Sequence, residues 1–150
     1  MKLIHRAARC SDLGEVQNIV QCAYSPYADC IGQKPGPMLD DYKALIEANR
    51  VSVIEADGSV QGIIVLIPEK DAMLLDNVAV APSAQGLGLG RKMIEYAEQC
   101  TREAGYSRIR LYTNEAMTRN ISYYTRIGYV ETYRAEEKGL KRVHMAKTLS

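Results

Sequence analysis

The segment of residues 77–91 constrains the fold most, because it carries glycine at three alternate positions. It reads Asn77-Val78-Ala79-Val80-Ala81-Pro82-Ser83-Ala84-Gln85-Gly86-Leu87-Gly88-Leu89-Gly90-Arg91. An apolar run precedes the glycines and a helical pattern follows them, which predicts a strand, a tight loop and a helix. Glycine costs backbone entropy, so the spacing indicates that bare main chain is needed there. Successive N–H groups at a helix N-terminus suit a pyrophosphate, although an ordinary tight turn explains the pattern equally well.

Two other phosphate-binding loops do not fit these residues. The dinucleotide fingerprint GxGxxG requires glycine where the chain has Arg91, and it normally opens the first strand-helix unit of a parallel sheet. The Walker pattern GxxxxGK, counted from Gly86, again requires glycine at the position of Arg91. The loop therefore does not indicate a dinucleotide cofactor or nucleoside triphosphate hydrolysis.

The remaining sequence predicts one α/β domain over residues 1–150, without a repeat or a domain linker. A first strand precedes Ser11, which is predicted to cap a helix that ends before Pro26. Residues 24–37 are then predicted to form a structured loop. The Asp57-Gly58 pair predicts a hairpin. Further strands are predicted at residues 51–55, 60–67, 72–80, 107–112, 129–134 and 143–148, and further helices at 41–49, 89–104 and 116–127.

Charge and composition exclude several classes of function. Nineteen basic and eighteen acidic residues give a formal charge of +1, without the basic excess that nucleic-acid binding requires. The four cysteines form no CxxC pair and the two histidines lie far from any ligand-spaced cluster, so no metal site is predicted. No apolar stretch approaches about 18 residues, which argues against a membrane span. We expect a cytoplasmic protein with reduced cysteines.

Two motifs in order along the chain resemble the GNAT superfamily of acetyl-coenzyme A-dependent N-acetyltransferases. The first is a strand ending in Val, a Pro, then Gln followed by GxGxG, here Val80, Pro82, Gln85, Gly86, Gly88 and Gly90. The second is Tyr, three residues, Gly and an aromatic, here Tyr124-Thr125-Arg126-Ile127-Gly128-Tyr129. The resemblance implies a mixed α/β (α+β) fold of order β-α-α-β-β-β-α-β-α-β-β. Its central sheet is expected to be mostly antiparallel and splayed at the cofactor site.

The resemblance also implies acetyl-coenzyme A as co-substrate, without a metal. Main-chain groups of Val78, Ala79 and Val80 are expected to meet the pantetheine arm. The family often has Asn seven residues before the Tyr, where this chain has Met117, and Asn120 one turn later is a candidate for the same cofactor contact. Amides of the Gly-rich loop are expected to hold the pyrophosphate: Gln85, Gly86, Leu87, Gly88, Leu89, Gly90 and Arg91.

Acetyl transfer to an amine needs a neutral nucleophile and a proton for the departing thiolate. Tyr124 matches the family's general acid, although it also fits a packed aromatic. Asp76, polar within an apolar strand, is the candidate base; a water or a solvent-facing Asp76 is the alternative. Tyr24, Tyr27 and Asn77 are candidates for substrate binding.

The function predicted at this point is acetyl transfer to a primary amine of a small molecule or peptide by direct attack in a ternary complex. The alternative is a regulatory module that binds acetyl-coenzyme A without catalysis. No nucleic acid or membrane partner is expected, and the resemblance leaves a homodimer open.

Overall fold

The computed structural model describes residues 2–31 and 36–149, which form seven strands and four α-helices. The strands are β1 (Leu3–Ala7), β2 (Val51–Ala56), β3 (Ser59–Pro68), β4 (Met73–Val80), β5 (Arg108–Asn114), β6 (Val130–Glu137) and β7 (Leu140–Thr148). The α-helices are α1 (Leu13–Ile31), α2 (Tyr42–Glu47), α3 (Leu89–Glu103) and α4 (Thr118–Arg126). Short 3-10 helices occupy Cys10–Asp12, Gly36–Leu39 and Pro82–Ala84. The predicted order of strands and α-helices is confirmed.

The strands form one sheet in the order β1-β2-β3-β4-β5-β7-β6. All neighbours are antiparallel except β4 and β5, which run parallel and pair only at Met73 with Ile109 and at Leu74 with Arg110. Beyond these two pairs the strands separate, so the sheet is open at its centre. The predicted mixed, mostly antiparallel and splayed sheet is confirmed.

Helices cover the two faces of the sheet, because strand side chains alternate between them. Val16 and Val20 of α1 pack with Ile63 on one face. On the other face Met93 of α3 packs with Ile64, the next residue of the same strand. Within residues 2–31 and 36–149, none of the helices is long and apolar enough to cross a membrane.

The prediction that the first helix ends before Pro26 is wrong, because α1 continues through Pro26 to Ile31. Proline removes one helical hydrogen bond and therefore favours the end of a helix. Here contacts between α1 and the sheet oppose that preference. The Tyr24 hydroxyl of α1 donates to the side-chain oxygen of Asn77 on β4 and lies 3.1 Å from the carbonyl oxygen of Val78. Residues 24–31 of the predicted loop are thus helical, residues 32–35 lie outside the described residues, and Gly36–Leu39 is a 3-10 helix.

The start of α1 also differs from the prediction that Ser11 caps it. A 3-10 helix precedes α1, and the Asp12 carboxylate accepts a hydrogen bond from the amide of Arg9 at 2.7 Å. Asp12 also forms an ion pair with Arg6 of β1 at 2.8 Å. Asp12, and not Ser11, therefore supplies the side-chain acceptor at this end of the helical segment, and it bonds the amide of Arg9 before the 3-10 helix.

The predicted hairpin at Asp57 and Gly58 is confirmed, since β2 and β3 are antiparallel and joined there. Both residues have positive φ, of 52° and 89°, as a type I′ turn requires.

Candidate active site

An open cleft of about 600 Å³, including the part open to solvent, lies where β4 and β5 separate. It is lined by the ends of these strands together with residues of α1, α4 and β7. The cleft brings together six of the residues predicted as site residues, Tyr24, Asp76, Asn77, Val78, Asn120 and Tyr124. The splayed sheet therefore gathers side chains that lie up to a hundred residues apart.

Asp76 is the extra residue of a β-bulge in β4. On one side of it Leu75 pairs with Leu66 of β3, and on the other Asn77 pairs with Val65, so Asp76 has no cross-strand partner. A bulge bends its strand and turns the extra side chain away from its regular direction. This local geometry explains how a strand of buried apolar residues presents a carboxylate to the cleft.

The Asp76 carboxylate accepts a hydrogen bond from the hydroxyl of Tyr112 on β5 at 2.8 Å. Burial, and then the charge of Asp76, raise the pKa of the Tyr112 hydroxyl above its usual value, so the phenol remains a donor. The guanidinium of Arg142 lies over the Tyr112 ring, 4.3 Å from its centroid. Asp76 therefore faces the cleft as part of a polar group that spans both diverging strands.

Asn77 lies on the face of β4 that packs against α1 and α2, and it joins the strand to both helices. Its side-chain oxygen accepts a hydrogen bond from Tyr24, and its amide donates to the hydroxyl of Tyr42 at 2.9 Å. Asn77 is only 3% exposed, so these partners replace water for both of its polar atoms. Substrate binding by Tyr24 and Asn77 stays a prediction, and the side chain of Tyr27 lies outside the described residues.

We expect Asn77→Ala to lower the free energy of unfolding. The change removes two buried hydrogen bonds and leaves the Tyr24 and Tyr42 hydroxyls with fewer partners, at a cost of roughly 1–3 kcal/mol. Urea denaturation measures the difference, with Asn18→Ala, at an exposed position of α1, as control. Equal midpoints for Asn77→Ala and the natural protein would contradict the structural role of this network.

Tyr124 occupies the last turn of α4, where a Schellman motif ends the helix. Gly128 has φ of 105° and donates to the carbonyl of Thr125 at 3.2 Å, while Tyr129 donates to the carbonyl of Tyr124 at 2.9 Å. The Tyr129 ring is buried and meets the Tyr124 ring edge-on, with centroids 5.6 Å apart. The spacing Tyr, three residues, Gly, Tyr is therefore a helix end that holds Tyr124 in the cleft.

The Tyr124 hydroxyl makes no hydrogen bond to another residue in the part of the chain that the structure describes. Burial, followed by the neighbouring Tyr123, raises the pKa of this hydroxyl above its usual value. It therefore stays protonated at neutral pH and can donate to a group in the cleft.

Asn120 and Met117 both line the cleft at the start of α4. The amide of Asn120 donates to the carbonyl of Met117 at 3.1 Å, which places the two residues in the first turn. Met117 is buried and contacts the hydroxyl of Thr113 through its sulfur at 3.6 Å. Asn120 is thus the polar residue of this turn that lines the cleft, and its contact with the cofactor stays a prediction.

Two of the three loop glycines are required by backbone conformation. Gly86 and Gly88 have φ of 85° and 79°, a region that residues with a Cβ rarely adopt. Gly88 also forms the N-cap of α3. Gly90 is helical, and a Cβ there would meet only the Val80 side chain at 3.9 Å, an ordinary contact. The third glycine is therefore not needed by the fold.

The six amides of residues 86–91 have no hydrogen-bond acceptor among the residues that the structure describes. They surround the N-terminus of α3, where the helix dipole favours an anion. The Gln85 amide, in contrast, donates to the carbonyl of Pro82 at 3.4 Å, and the Gln85 side chain donates to the carbonyl of Val80 at 3.4 Å, which ties the loop back to β4. Unsatisfied amides on bare main chain are a donor set that fits a pyrophosphate.

The cleft also contains polar residues that were not predicted from the sequence, among them Tyr112 and Arg142. Alternation in β5, with Ile109 and Leu111 buried, was a signal that Tyr112 lies on the other face.

A family model described as "Acetyltransferase (GNAT) domain" matches residues 47–131, more than half of the chain. The match covers both the Gly-rich loop and the Tyr124 motif. A search of curated protein sequences finds no significant match.

Solved structures share the fold over the whole chain at low sequence identity. The ribosomal-protein-S18-alanine N-acetyltransferase of Escherichia coli is 18% identical, with a TM-score of 0.81 over 99% of this chain and 95% of that chain. The PaiA N-acetyltransferase of Thermoplasma acidophilum, solved in complex with coenzyme A, is 16% identical, with a TM-score of 0.80 over 99% of both chains. N-acetylglutamate synthase of Neisseria gonorrhoeae, complexed with coenzyme A and N-acetyl-glutamate, is 17% identical, with a TM-score of 0.75 over 100% of this chain and 36% of that chain.

Proposed function

Because this chain belongs to the GNAT acetyltransferase family, we propose that it transfers an acetyl group from acetyl-coenzyme A to a primary amine. The acceptor is a small molecule or a peptide, and the amine attacks directly in a ternary complex. The observation that carries the proposal is one cleft lined by both the Tyr124 hydroxyl and the Asp76 carboxylate. These are an acid and a base of the kind that acyl transfer to an amine requires.

The donor set after β4 supports acetyl-coenzyme A as the co-substrate. The amides of residues 86–91 are available to an anion, and the loop begins where β4 leaves the cleft. The pyrophosphate is proposed to bind there, and the pantetheine arm along Val78, Ala79 and Val80. When bound, the co-substrate supplies an activated thioester. Asn120, on the first turn of α4, is the proposed side-chain contact.

The residues of the cleft have separate roles in this proposal. Asp76 accepts a proton from the acceptor ammonium, because only the neutral amine is a nucleophile. Tyr112 donates a hydrogen bond that holds the carboxylate in place. Tyr124 donates the proton that the departing sulfur needs, and its raised pKa keeps that proton on the hydroxyl until it is used.

The similar structures support an amine as acceptor. One of these proteins is named for an alanine of a ribosomal protein, and another was solved with N-acetyl-glutamate. A peptide N-terminus and a free amino acid are both primary amines. We therefore extend the acceptor class, and not a particular acceptor, to this chain.

A screen of amines, amino acids and peptide N-termini with acetyl-coenzyme A tests the proposal. We expect thiol release above the hydrolysis background with at least one acceptor class. We also expect acetyl-coenzyme A at a hundred times its dissociation constant to stabilise the protein by about 2.7 kcal/mol. Stabilisation without turnover of any amine would favour the regulatory module instead. The absence of both stabilisation and turnover would contradict the proposed function.

A further inference from the structure

A carboxylate and a guanidinium contact the same tyrosine side chain in the cleft. The hydroxyl of Tyr112 donates to the Asp76 carboxylate at 2.8 Å, and the guanidinium of Arg142 lies over the Tyr112 ring, 4.3 Å from its centroid. All three residues line the cleft. The cleft therefore presents one negative and one positive group within reach of a single small molecule.

The two charged groups lie on the face of the sheet that is opposite to α3. Leu111 and Val143 precede or follow Tyr112 and Arg142 in their strands, and both belong to the core cluster that contains Leu89 at the start of α3. Because strand side chains alternate between the faces, Tyr112 and Arg142 point away from α3. The Gly-rich loop, which is the proposed pyrophosphate site, opens α3. Arg142 is therefore placed toward the acceptor and not toward the phosphates of the co-substrate.

The Arg142 guanidinium keeps hydrogen-bond donors for an anion. Its side chain is 15% exposed, and its ion pair with Glu137 has an N–O distance of 3.7 Å, which is longer than a hydrogen bond. Glu137 is held more closely by the ring of His144, at 2.9 Å. The contact with the Tyr112 ring restricts the position of the guanidinium. The parallel N–H groups of an arginine held in this way suit the two oxygens of a carboxylate.

We propose that the acceptor is a free amino acid, whose carboxylate is bound by Arg142 while its amino group faces Asp76. The inference rests on the proposed acetyl transfer and narrows its acceptor class. A peptide N-terminus carries an uncharged amide in place of the carboxylate, so it leaves the guanidinium without an anion. A polyamine brings a further positive charge toward Arg142. Both mismatches disfavour the wrong acceptor, which makes Arg142 the residue that determines specificity.

Matched acceptors test the inference in the full chain. They are the standard amino acids, the α-amides of the same amino acids and the corresponding amines without a carboxyl group, each assayed with acetyl-coenzyme A. Rates are compared per concentration of neutral amine, because the amino groups of these compounds differ in pKa. We expect kcat/KM for the best amino acid to exceed that for its amide and its amine by roughly 10-fold to 100-fold, the range of a hydrogen bond to a charged group. An amide that reacts as well as its amino acid would overturn the inference.

Substitutions of Arg142 test which residue binds the carboxylate. Arg142→Gln should reduce the preference for the amino acid over its amide to within about threefold, since the charge and the paired donors are lost. Arg142→Lys should show an intermediate preference, because lysine keeps the charge without the paired N–H groups. Lys141→Gln is the matched control, since it removes the same charge from an exposed neighbour on β7 that does not line the cleft, and it should keep the natural preference. An unchanged preference in Arg142→Gln would show that Arg142 does not bind the carboxylate.

Binding of the reaction products gives a readout that does not depend on turnover. Calorimetry compares the N-acetyl derivatives of the standard amino acids with their N-acetyl amides, in the presence of excess coenzyme A. We expect at least one acid to bind roughly 10-fold or more tightly than its amide, and Arg142→Gln to lose this difference while Lys141→Gln keeps it. Equal affinities in every pair, or binding of none of these compounds, would refute the carboxylate site.

The outcomes separate this inference from the proposed function. If the chain acetylates amines but does not prefer amino acids over their amides, acetyl transfer stands and the carboxylate site is wrong. If the chain acetylates no amine, the proposed function fails, and the acceptor class inferred from Arg142 fails with it.

Discussion

Tyr124→Phe is expected to lower kcat by roughly 10²–10⁴, the range that a general acid contributes. The change removes one hydroxyl that lines the cleft and makes no hydrogen bond to a described residue, so folding loses little. Without it the departing sulfur has no proton donor held beside it. A stopped-flow or steady-state assay of thiol release measures kcat. Calorimetry with coenzyme A shows whether binding is retained.

Tyr123→Phe is the control for this prediction. Tyr123 is the neighbour of Tyr124 on α4, is similarly part-buried, and does not line the cleft. Loss of its hydroxyl should leave kcat within about twofold, since surface changes away from a site usually cost little. If the two variants had equal rates, Tyr124 would be only a packed aromatic of the helix end.

Gly90→Pro should weaken coenzyme A binding by roughly 10-fold to 100-fold. Proline removes the amide hydrogen of residue 90, and a hydrogen bond to a charged group contributes about 1.5–3 kcal/mol. Residue 90 is in the first turn of α3, where the amide has no helical acceptor and proline is tolerated. The substitution should therefore lower the free energy of unfolding by less than it lowers the free energy of coenzyme A binding. Isothermal calorimetry measures the dissociation constant.

Gly90→Ala separates the amide from the side chain at the same position. Alanine keeps the N–H, and its Cβ would meet the Val80 side chain at 3.9 Å, without a clash. We expect the alanine variant to bind coenzyme A with an affinity within about threefold of the natural protein. It keeps the charge-assisted hydrogen bond from the amide of residue 90, which the proline variant loses. Equal weakening by both substitutions would show that space, and not the amide, limits binding.

The Gly-rich loop and the Tyr124 motif were predictable because their geometry is local. Positive φ at Gly86 and Gly88 follows from a tight entry into α3. The Schellman motif explains why Gly128 follows Tyr124 at a fixed spacing. In both cases neighbours along the chain determine the backbone, so the sequence pattern carries the structural information.

The missed features depend on contacts between distant residues. Pro26 was expected to end α1, but the helix continues where Tyr24 is bonded to β4. The bulge that turns Asp76 into the cleft is set by its register with β3. Tyr112 reaches Asp76 from a strand 36 positions later in the chain. Local sequence patterns do not predict contacts between residues that are far apart in the chain, and these groups meet only in the folded protein.

The central claim is that free main-chain amides at the start of α3 hold the pyrophosphate of acetyl-coenzyme A. Calorimetry of the full chain with acetyl-coenzyme A and with S-acetyl-pantetheine, which lacks the pyrophosphate and the 3′-phosphoadenosine joined to it, tests it most directly. We predict saturable binding of one acetyl-coenzyme A per chain, and binding of S-acetyl-pantetheine that is weaker by at least roughly 100-fold, since several charge-assisted hydrogen bonds are lost. Equal affinity for the two compounds, or no binding of acetyl-coenzyme A, would contradict the account.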